Sequence, residues 1–209
     1  MIYILQCGCD PSTELPKHLN VVNGETIVAR TLRLLRECGI SNEDIGISSC
    51  HSAFEKFGVT VYKHDNTYYG DGGCWVDGFF PFNEPVCYIF GDVVFSPEAI
   101  KTIINTNTDD IEFFASAPPF ADNYIKPWAE PFAFKVVNLE HFRSAIEKVR
   151  EIKNQFKRPP IAWELWQVIK DTPINEIDYT NYTVINDYTC DVDRRRDADT
   201  FNQKVFNLI

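Results

Sequence analysis

Three groups of residues in this chain have side-chain types and spacings that can do chemistry. The first is Leu5-Gln6-Cys7-Gly8, followed by Leu15-Pro16-Lys17 and then by Asn23-Gly24 opening a helix. A glycine turn after a strand lets backbone amides approach a nucleotide closely, and a nearby lysine neutralises phosphate charge. The same residues also read as an ordinary strand-turn with a surface lysine. They lack the Gly-Lys-Ser/Thr ending of a P-loop and the glycine fingerprint of dinucleotide sites. The second group is Phe90-Gly91-Asp92-Val93-Val94-Phe95. A carboxylate just past a buried strand is where a divalent cation is often held beside phosphates; the alternative is an Asp that caps the next turn or helix. The third is Asp191-Val192-Asp193, with Asp197 and Asp199 following. In extended backbone Asp191 and Asp193 share a face, and carboxylates that close repel unless a cation lies between them. The alternative is an exposed acidic loop.

Such residues need elements to position them. Tyr3-Ile4-Leu5 predicts a short buried strand that runs into the turn-rich segment Gly8 to Ser12. Between Gly24 and Cys38, Ile27, Val28, Thr31, Leu32 and Leu35 recur at helical spacing, and Gly39 supplies a stop. Ile45–Ile47 and Val59–Val61 predict short strands, and Val86–Phe90 predicts a longer one ending at Gly91-Asp92. Pro97–Ile104 reads as a helix, Ile111–Ala115 and Phe132–Val137 as strands, and Leu139–Phe156 as a long amphipathic helix. Continuous apolar runs, in place of strict alternation, argue for a largely parallel sheet covered on both faces. Such sheets bind ligands at the carboxyl ends of their strands. Residues 1–209 are expected to form one domain, with Lys157-Arg158-Pro159-Pro160 as the only seam.

Composition narrows the ligand. Lys and Arg total 20 against 30 Asp and Glu, a formal net charge of -10. That field disfavours nucleic acid and anionic lipid, and admits a small phosphorylated ligand only where a basic pocket or a metal offsets it. Hydrophobic residues at 44% and aromatics at 14% support a real core. The 7 cysteines are odd in number and show no disulfide-like rhythm. Met1 to Gln6 is too short and uncharged for a signal peptide, and no apolar run approaches a membrane span. Reduced thiols and a cytoplasmic location are therefore expected. Cys7-Gly8-Cys9 and Cys50-His51 lack the second pair that a zinc site requires.

The order of the motifs adds a resemblance. Leu5-Gln6-Cys7-Gly8, Pro16-Lys17, Asn23-Gly24-Glu25, Leu34-Leu35 and Cys38-Gly39-Ile40 resemble the N-terminal signature of the GT-A-like nucleotidyltransferases. Those sugar-phosphate and alcohol-phosphate nucleotidyltransferases read Leu-Ala-Ala-Gly, then Gly-Thr-Arg, then Pro-Lys, then a helix start. Gly91-Asp92-Val93 is similar to their metal-binding Gly-Asp motif, and Asp191-Val192-Asp193-Arg194-Arg195-Arg196-Asp197 to the late segment that supplies a second metal carboxylate. The resemblance spans almost the whole chain. It departs after Gly8, where Cys9 to Glu14 lacks the second glycine and the arginine that grip the triphosphate. Arg194, Arg195 and Arg196 either replace that charge or form a solvated run. Tyr69 to Trp75, with Gly72 and Gly73, stands in the place of the base-reading loop, or is a simple loop. Lys126-Pro127 and Glu130-Pro131-Phe132 are similar to the stretch that faces the acceptor. Trp163-Glu164-Leu165-Trp166 reads as a lid, an oligomer contact or a buried pair.

The resemblance implies a three-layer α/β/α sandwich with a mixed, mainly parallel central sheet, of the nucleotide-diphospho-sugar transferase kind. It implies magnesium-dependent transfer of a nucleoside monophosphate from a nucleoside triphosphate to a sugar-1-phosphate or related acceptor, with release of pyrophosphate. An acceptor phosphate oxygen would attack the α-phosphorus in line, with no covalent enzyme intermediate. Asp92, Asp191 and Asp193 would hold Mg2+, and Lys17 would offset charge on the triphosphate. Gln6, Gly8, Gly72 and Gly73 would hold the nucleotide, and Lys126 and Glu130 the acceptor. The expected partners are thus small molecules, without nucleic acid or membrane, and with homo-oligomerisation left open. Two rivals share the fold. A GT-A glycosyltransferase would use a nucleotide-sugar donor, and a decayed homologue would bind nucleotide without turnover.

Overall fold

Apolar runs of four to six residues form the strands that carry the site. The computed structural model describes residues 1–8, 16–63, 74–121, 125–126, 128–156 and 158–206, with 121, 125 and 126 described by backbone alone. The first half of the chain forms β1 (Ile2–Gln6), β2 (Val21–Val22), β3 (Glu25–Thr26), α1 (Ile27–Glu37), β4 (Ile45–Ser48), β5 (Thr60–Tyr62), β6 (Val86–Phe90), β7 (Val93–Val94) and α2 (Pro97–Asn105). The second half forms β8 (Ile111–Ala115), β9 (Phe120–Ala121), β10 (Ile125–Lys126), β11 (Pro131–Val136), α3 (Leu139–Ile152), α4 (Ala162–Ile169), β12 (Thr183–Val184), β13 (Cys190–Asp191) and α5 (Arg195–Phe201).

Seven strands make one sheet in the order β12-β8-β11-β6-β1-β4-β5. β1 pairs in parallel with both β4 and β6, as β4 does with β5 and β12 with β8. β11 alone runs antiparallel, between β6 and β8. The sheet is therefore mixed and mainly parallel. Helices α1 and α2 pack together, as do α3 and α4, giving the three-layer α/β/α arrangement. The central strands bury every residue of β6 and the middle of β1, as continuous apolar runs require.

One expectation changes in detail. Asn23-Gly24 does not open the helix. Both residues have positive φ, 50° and 79°, and they form the two-residue turn of the β2–β3 hairpin. Asn-Gly is the preferred pair for such a turn, because each position needs φ above zero. Helix α1 begins three residues later, after Thr26, whose side chain accepts a hydrogen bond from the Ala29 amide. On both sides of residues 158–160, the buried apolar residues among those described belong to one cluster. Arg158 there pairs at 3.0 Å with Glu164, a buried carboxylate in α4. Trp163 and Trp166 are core residues and form neither a lid nor an outer contact. Trp163 is 2% exposed, donates to the Ala129 carbonyl and packs against Phe113, Tyr179 and Tyr182.

The cysteines also depart from a uniformly reduced set. Cys7, Cys38, Cys74, Cys87 and Cys190 are free thiols, whereas Cys50 is disulfide-bonded. Cys50 follows β4 at the same end of the sheet as Gly8 follows β1, and the Cys7 amide bonds the Ser48 carbonyl there. Neighbouring parallel strands thus bring their following turns together, a proximity that cysteine spacing does not reveal.

One buried charge ties the sheet to a helix end. Lys135 in β11 is 6% exposed, and its Nζ donates to the carbonyls of Ile103, Ile104 and Thr106 at the carboxyl end of α2. Burial pulls the lysine pKa down, but three carbonyls at a helix terminus match the three donors of an ammonium. Replacing Lys135 with Met keeps the stem and strands three buried acceptors. The expected loss is about 2–3 kcal/mol of stability, read as a lower urea midpoint with unchanged slope.

Candidate functional site

The site forms where β1 and β6 end side by side. Gln6 lies opposite Phe90 in the register, and the Gly91 amide donates to the Gln6 carbonyl at 2.9 Å. A methyl group on Gly91 would lie 2.6 Å from Cys7 Sγ and 2.8 Å from the Gln6 carbonyl oxygen. Glycine is therefore needed for the two strand ends to approach, and this contact sets the position of Asp92. On the other strand, Gly8 has φ +52° and its carbonyl accepts from Ser49 Oγ at 2.8 Å. That bond anchors the turn after β1 to the turn after β4.

The late segment reaches the same place by a short ladder. β13 pairs antiparallel with β7, Cys190 opposite Val94 and Asp191 opposite Val93. The Val192 amide then donates to the Asp92 carbonyl at 2.9 Å. Buried groups hold this segment from behind. The Ser96 amide donates to Thr189 Oγ1, and Ser96 Oγ donates to Asp187. Arg30 of α1, 4% exposed, donates through Nε to the Phe95 carbonyl and through Nη2 to the Tyr188 hydroxyl, while Nη1 meets Glu25. Arg30 is thus a structural clamp on both strands, and no sequence motif marked it.

Three side chains converge on this frame. Lys17 Nζ lies 2.6 Å from Asp92 Oδ2 and 2.6 Å from Asp193 Oδ1. Lys17 starts a 3-10 turn, Lys17–Leu19, whose neighbours His18 and Leu19 are buried. Side-chain exposures are 38% for Lys17, 23% for Asp92 and 58% for Asp193, so the cluster opens to solvent on the Asp193 side. Burial works against charge on both Lys17 and Asp92. Their mutual attraction wins, raising the lysine pKa and holding the Asp92 carboxyl below its ordinary value. Lys17 and Asp92 are therefore both charged near neutrality.

Two further groups belong to the site. His18 is 8% exposed, and its Nδ1 is buried without a hydrogen-bond partner among the described residues, as is Gln6 Nε2. Burial holds the His18 imidazole down at about 4, so it is neutral. Its ring stands edge-on to Phe54, and its Cδ2 lies 3.2 Å from the position a Gly91 methyl would take. Burial, with Asp92 nearby, pushes the Cys7 thiol well above its ordinary value, which excludes a thiolate nucleophile. His18 follows the Pro-Lys pair directly, yet a lone histidine carries no sequence signal of its burial.

The remaining expected residues are placed as follows. The Asp191 backbone lies in the β13 ladder, opposite Val93. Among the described residues, no group of three or more His, Cys, Asp or Glu side chains is arranged to hold a metal ion. The strand ends at Asp191, so the alternation that would put residues 191 and 193 on one face does not extend to Asp193. Arg194, Arg195 and Arg196 are exposed. Arg194 precedes α5, its amide bonded to Asp197 Oδ2 at 2.9 Å, and Arg196 Nε lies 3.7 Å from Asp197. The Glu130 carbonyl accepts from the Ser116 amide, the Glu130 amide donates to Ser116 Oγ, and its carboxylate accepts from Trp128 Nε1 at 3.1 Å. The backbone of Lys126 pairs with Phe120. Gly72 and Gly73 lie outside the described residues, as do Tyr69 to Asp71; Trp75 begins a 3-10 turn (Trp75–Gly78) capped by the bond from the Cys74 amide to Asp77.

No family model matches the chain, and no curated protein matches it significantly in sequence. Solved structures do match in fold. The 4-diphosphocytidyl-2C-methyl-D-erythritol synthase of Anaerococcus prevotii is 13% identical, covering 97% of this chain and 95% of its own, with a TM-score of 0.57. The 2-C-methyl-D-erythritol 4-phosphate cytidylyltransferase of Thermus thermophilus is 10% identical, covers 97% of each chain and scores 0.58. The CTP:phosphocholine cytidylyltransferase of Streptococcus pneumoniae is 18% identical over 97% of each chain, with a TM-score of 0.52. The chain therefore has the fold of these nucleotidyltransferases along nearly its whole length.

The buried neutral histidine makes stability depend on pH. His18 has a folded pKa of about 4, below the ordinary 6.5, so the unfolded chain binds the proton more readily. Its contribution is whole above about pH 6.5 and is lost as pH falls toward 4. Between pH 7.5 and 5 the expected loss is about 2 kcal/mol. Denaturant titrations at the two pH values should show it in the parent and a flatter response in His18→Gln. An equally steep response in the variant would assign the pH dependence to other groups.

Proposed function

We propose that this chain is a nucleotidyltransferase that moves a nucleoside monophosphate from a nucleoside triphosphate to a small phosphorylated acceptor. One observation carries the reading. In a fold shared with nucleotidyltransferases, Lys17, Asp92 and Asp193 come from three separate motifs and meet at the carboxyl ends of β1 and β6. That is where open α/β sheets bind ligands. The orphaned Gln6 Nε2 and the left-handed Gly8 turn beside it offer a donor and a close backbone approach to a bound nucleotide.

The residues divide the work by charge. An acceptor phosphate is already ionised near neutral pH, so no general base is required and the protein positions and neutralises. Lys17 offsets charge on the leaving pyrophosphate. Asp92 and Asp193 fit a magnesium ion, which takes one or two carboxylates and completes its shell with water and substrate phosphates. The fit rests on their oxygens converging on one cationic nitrogen at 2.6 Å each. The chemistry such an ion supplies is neutralisation of charge on the transferred phosphoryl group. Glu130, which precedes β11 and whose amide donates to Ser116 Oγ, would bind the acceptor, as would Lys126. A glycosyltransferase with Asp-x-Asp at this strand end would need a carboxylate at position 94. Val94 is instead fully buried and paired with Cys190, which weighs against that rival.

The test is pyrophosphate release with magnesium from the four ribonucleoside triphosphates and dTTP. Acceptors are drawn from those named for the structural neighbours, including phosphocholine and 2-C-methyl-D-erythritol 4-phosphate. No release from any combination would sink the reading. Asp92→Asn should lower kcat by about 10²-fold or more while the thermal midpoint stays near that of the parent. Lys17→Ala should raise KM for the triphosphate and lower kcat together; no change in either would reduce Lys17 to a surface lysine.

The arginine run has its own measurement. Arg194 to Arg196 directly follow Asp193 and are exposed, with Arg196 only loosely paired. Guanidinium groups suit phosphate oxygens, and each such bond is worth about 1.5–3 kcal/mol. At least one single Arg→Ala variant should bind triphosphate about tenfold or more weakly by calorimetry. Parent-like affinity in all three would make the run a solvated helix start.

A further inference from the structure

We infer that the Lys17 ammonium is the resident cation of this site in the absence of nucleotide, and that it must leave Asp92 and Asp193 before a divalent cation can take them. The inference rests on the nucleotidyltransferase reading only in naming the incoming cation as one that accompanies a triphosphate. Its physical basis is the geometry. One nitrogen lies 2.6 Å from an oxygen of each carboxylate. A magnesium ion holds its oxygens at about 2.0–2.1 Å, so it would occupy nearly the same point. An ammonium and a divalent ion cannot share it, because positive charges at contact distance repel strongly in a part-buried setting.

The lysine can move without the fold moving. Its turn is fixed by the Leu19 amide on the Pro16 carbonyl and the Asn20 amide on the Lys17 carbonyl, and by burial of His18 and Leu19. The side chain itself is 38% exposed on a flexible four-carbon stem. A triphosphate bound with its metal presents both halves of an exchange. The metal takes the carboxylates, and the polyphosphate takes the displaced ammonium. Metal alone offers only the first half and leaves Lys17 without a partner. Metal and nucleotide should therefore bind cooperatively, each raising the affinity of the other by the same factor.

The experiment measures Mn2+ binding to the full chain without nucleotide, by the electron paramagnetic resonance signal of the free ion. Lys17→Gln should bind Mn2+ about tenfold or more tightly than the parent. Adding Asp193→Asn to that variant should remove the gain. Equal affinity in parent and Lys17→Gln overturns the inference. A second measurement uses the unmodified protein, so that a poorly folded variant leaves the matter decidable. In lysine labelled with 15N, the Lys17 Nζ resonance should shift as Mg2+ alone is titrated to saturation. A resonance unmoved at saturation overturns the exchange. Neither measurement needs turnover. Tighter Mn2+ binding without pyrophosphate release from any triphosphate would keep the lysine exchange and sink nucleotidyl transfer. Pyrophosphate release with unchanged Mn2+ affinity would do the reverse.

Discussion

Two carboxylates held within reach of one point repel unless a cation stands between them, and this constraint organises the site. Asp92 and Asp193 are far apart in sequence and belong to a chain with a formal net charge of -10. They are brought together by the ladder between β7 and β13 and by the bond from the Val192 amide to the Asp92 carbonyl. That ladder contains two residue pairs, so it cannot alone withstand like charges at its end. Arg30 bonds the Phe95 carbonyl on one side and the Tyr188 hydroxyl on the other. Lys17 then supplies the counter-charge where the carboxylates meet.

Close packing underneath explains why these groups meet as they do. Gly91 has no room for a side chain between Cys7 and the Gln6 carbonyl, so β1 and β6 end in contact. His18 fills the space beside Gly91 and remains neutral because it is buried. A charged imidazole there would compete with Lys17 for the same carboxylates; the neutral ring leaves Lys17 as the sole cation touching both Asp92 and Asp193 among the described residues. The aromatic core fixes the backbone on either side of Glu130. Trp163 holds the Ala129 carbonyl, one residue before Glu130, and Tyr182 donates to the Ser116 carbonyl next to it. The buried Trp163 ring and the half-buried Tyr182 ring thereby fix the backbone at Ala129 and Ser116.

Much of this was legible in the sequence because it depends on local rules. The apolar runs at residues 3–5, 86–90 and 111–115 marked buried strands, and glycine at 39 marked a helix end. The pairing of Pro16-Lys17 with Gly91-Asp92 singled out residues that the fold places in contact. The remainder depends on non-local geometry. An apolar run looks the same in a parallel or an antiparallel strand, so the reversed direction of β11 carried no signal. Asn23-Gly24 is a strong hairpin signal, and a helical pattern beginning just after it obscured the hairpin. Alternation grouped Asp191 with Asp193, but β13 ends between them. The burial of His18 and Arg30 follows from what packs over them, which neither residue type nor spacing reveals.

The missing glycine and arginine of the first loop take on a definite meaning in this frame. Under the proposed exchange, the one cation that contacts both carboxylates among the described residues becomes available to phosphate when a metal takes its place. Exposed guanidinium groups beginning one residue after Asp193 stand ready to add more. Phosphate charge would thus be met from the late segment and from the exchanged lysine, instead of from the loop after β1. A bare triphosphate would then bind poorly, and the proposed site would select the metal-bound form, in which the transferred phosphoryl group is already neutralised for attack.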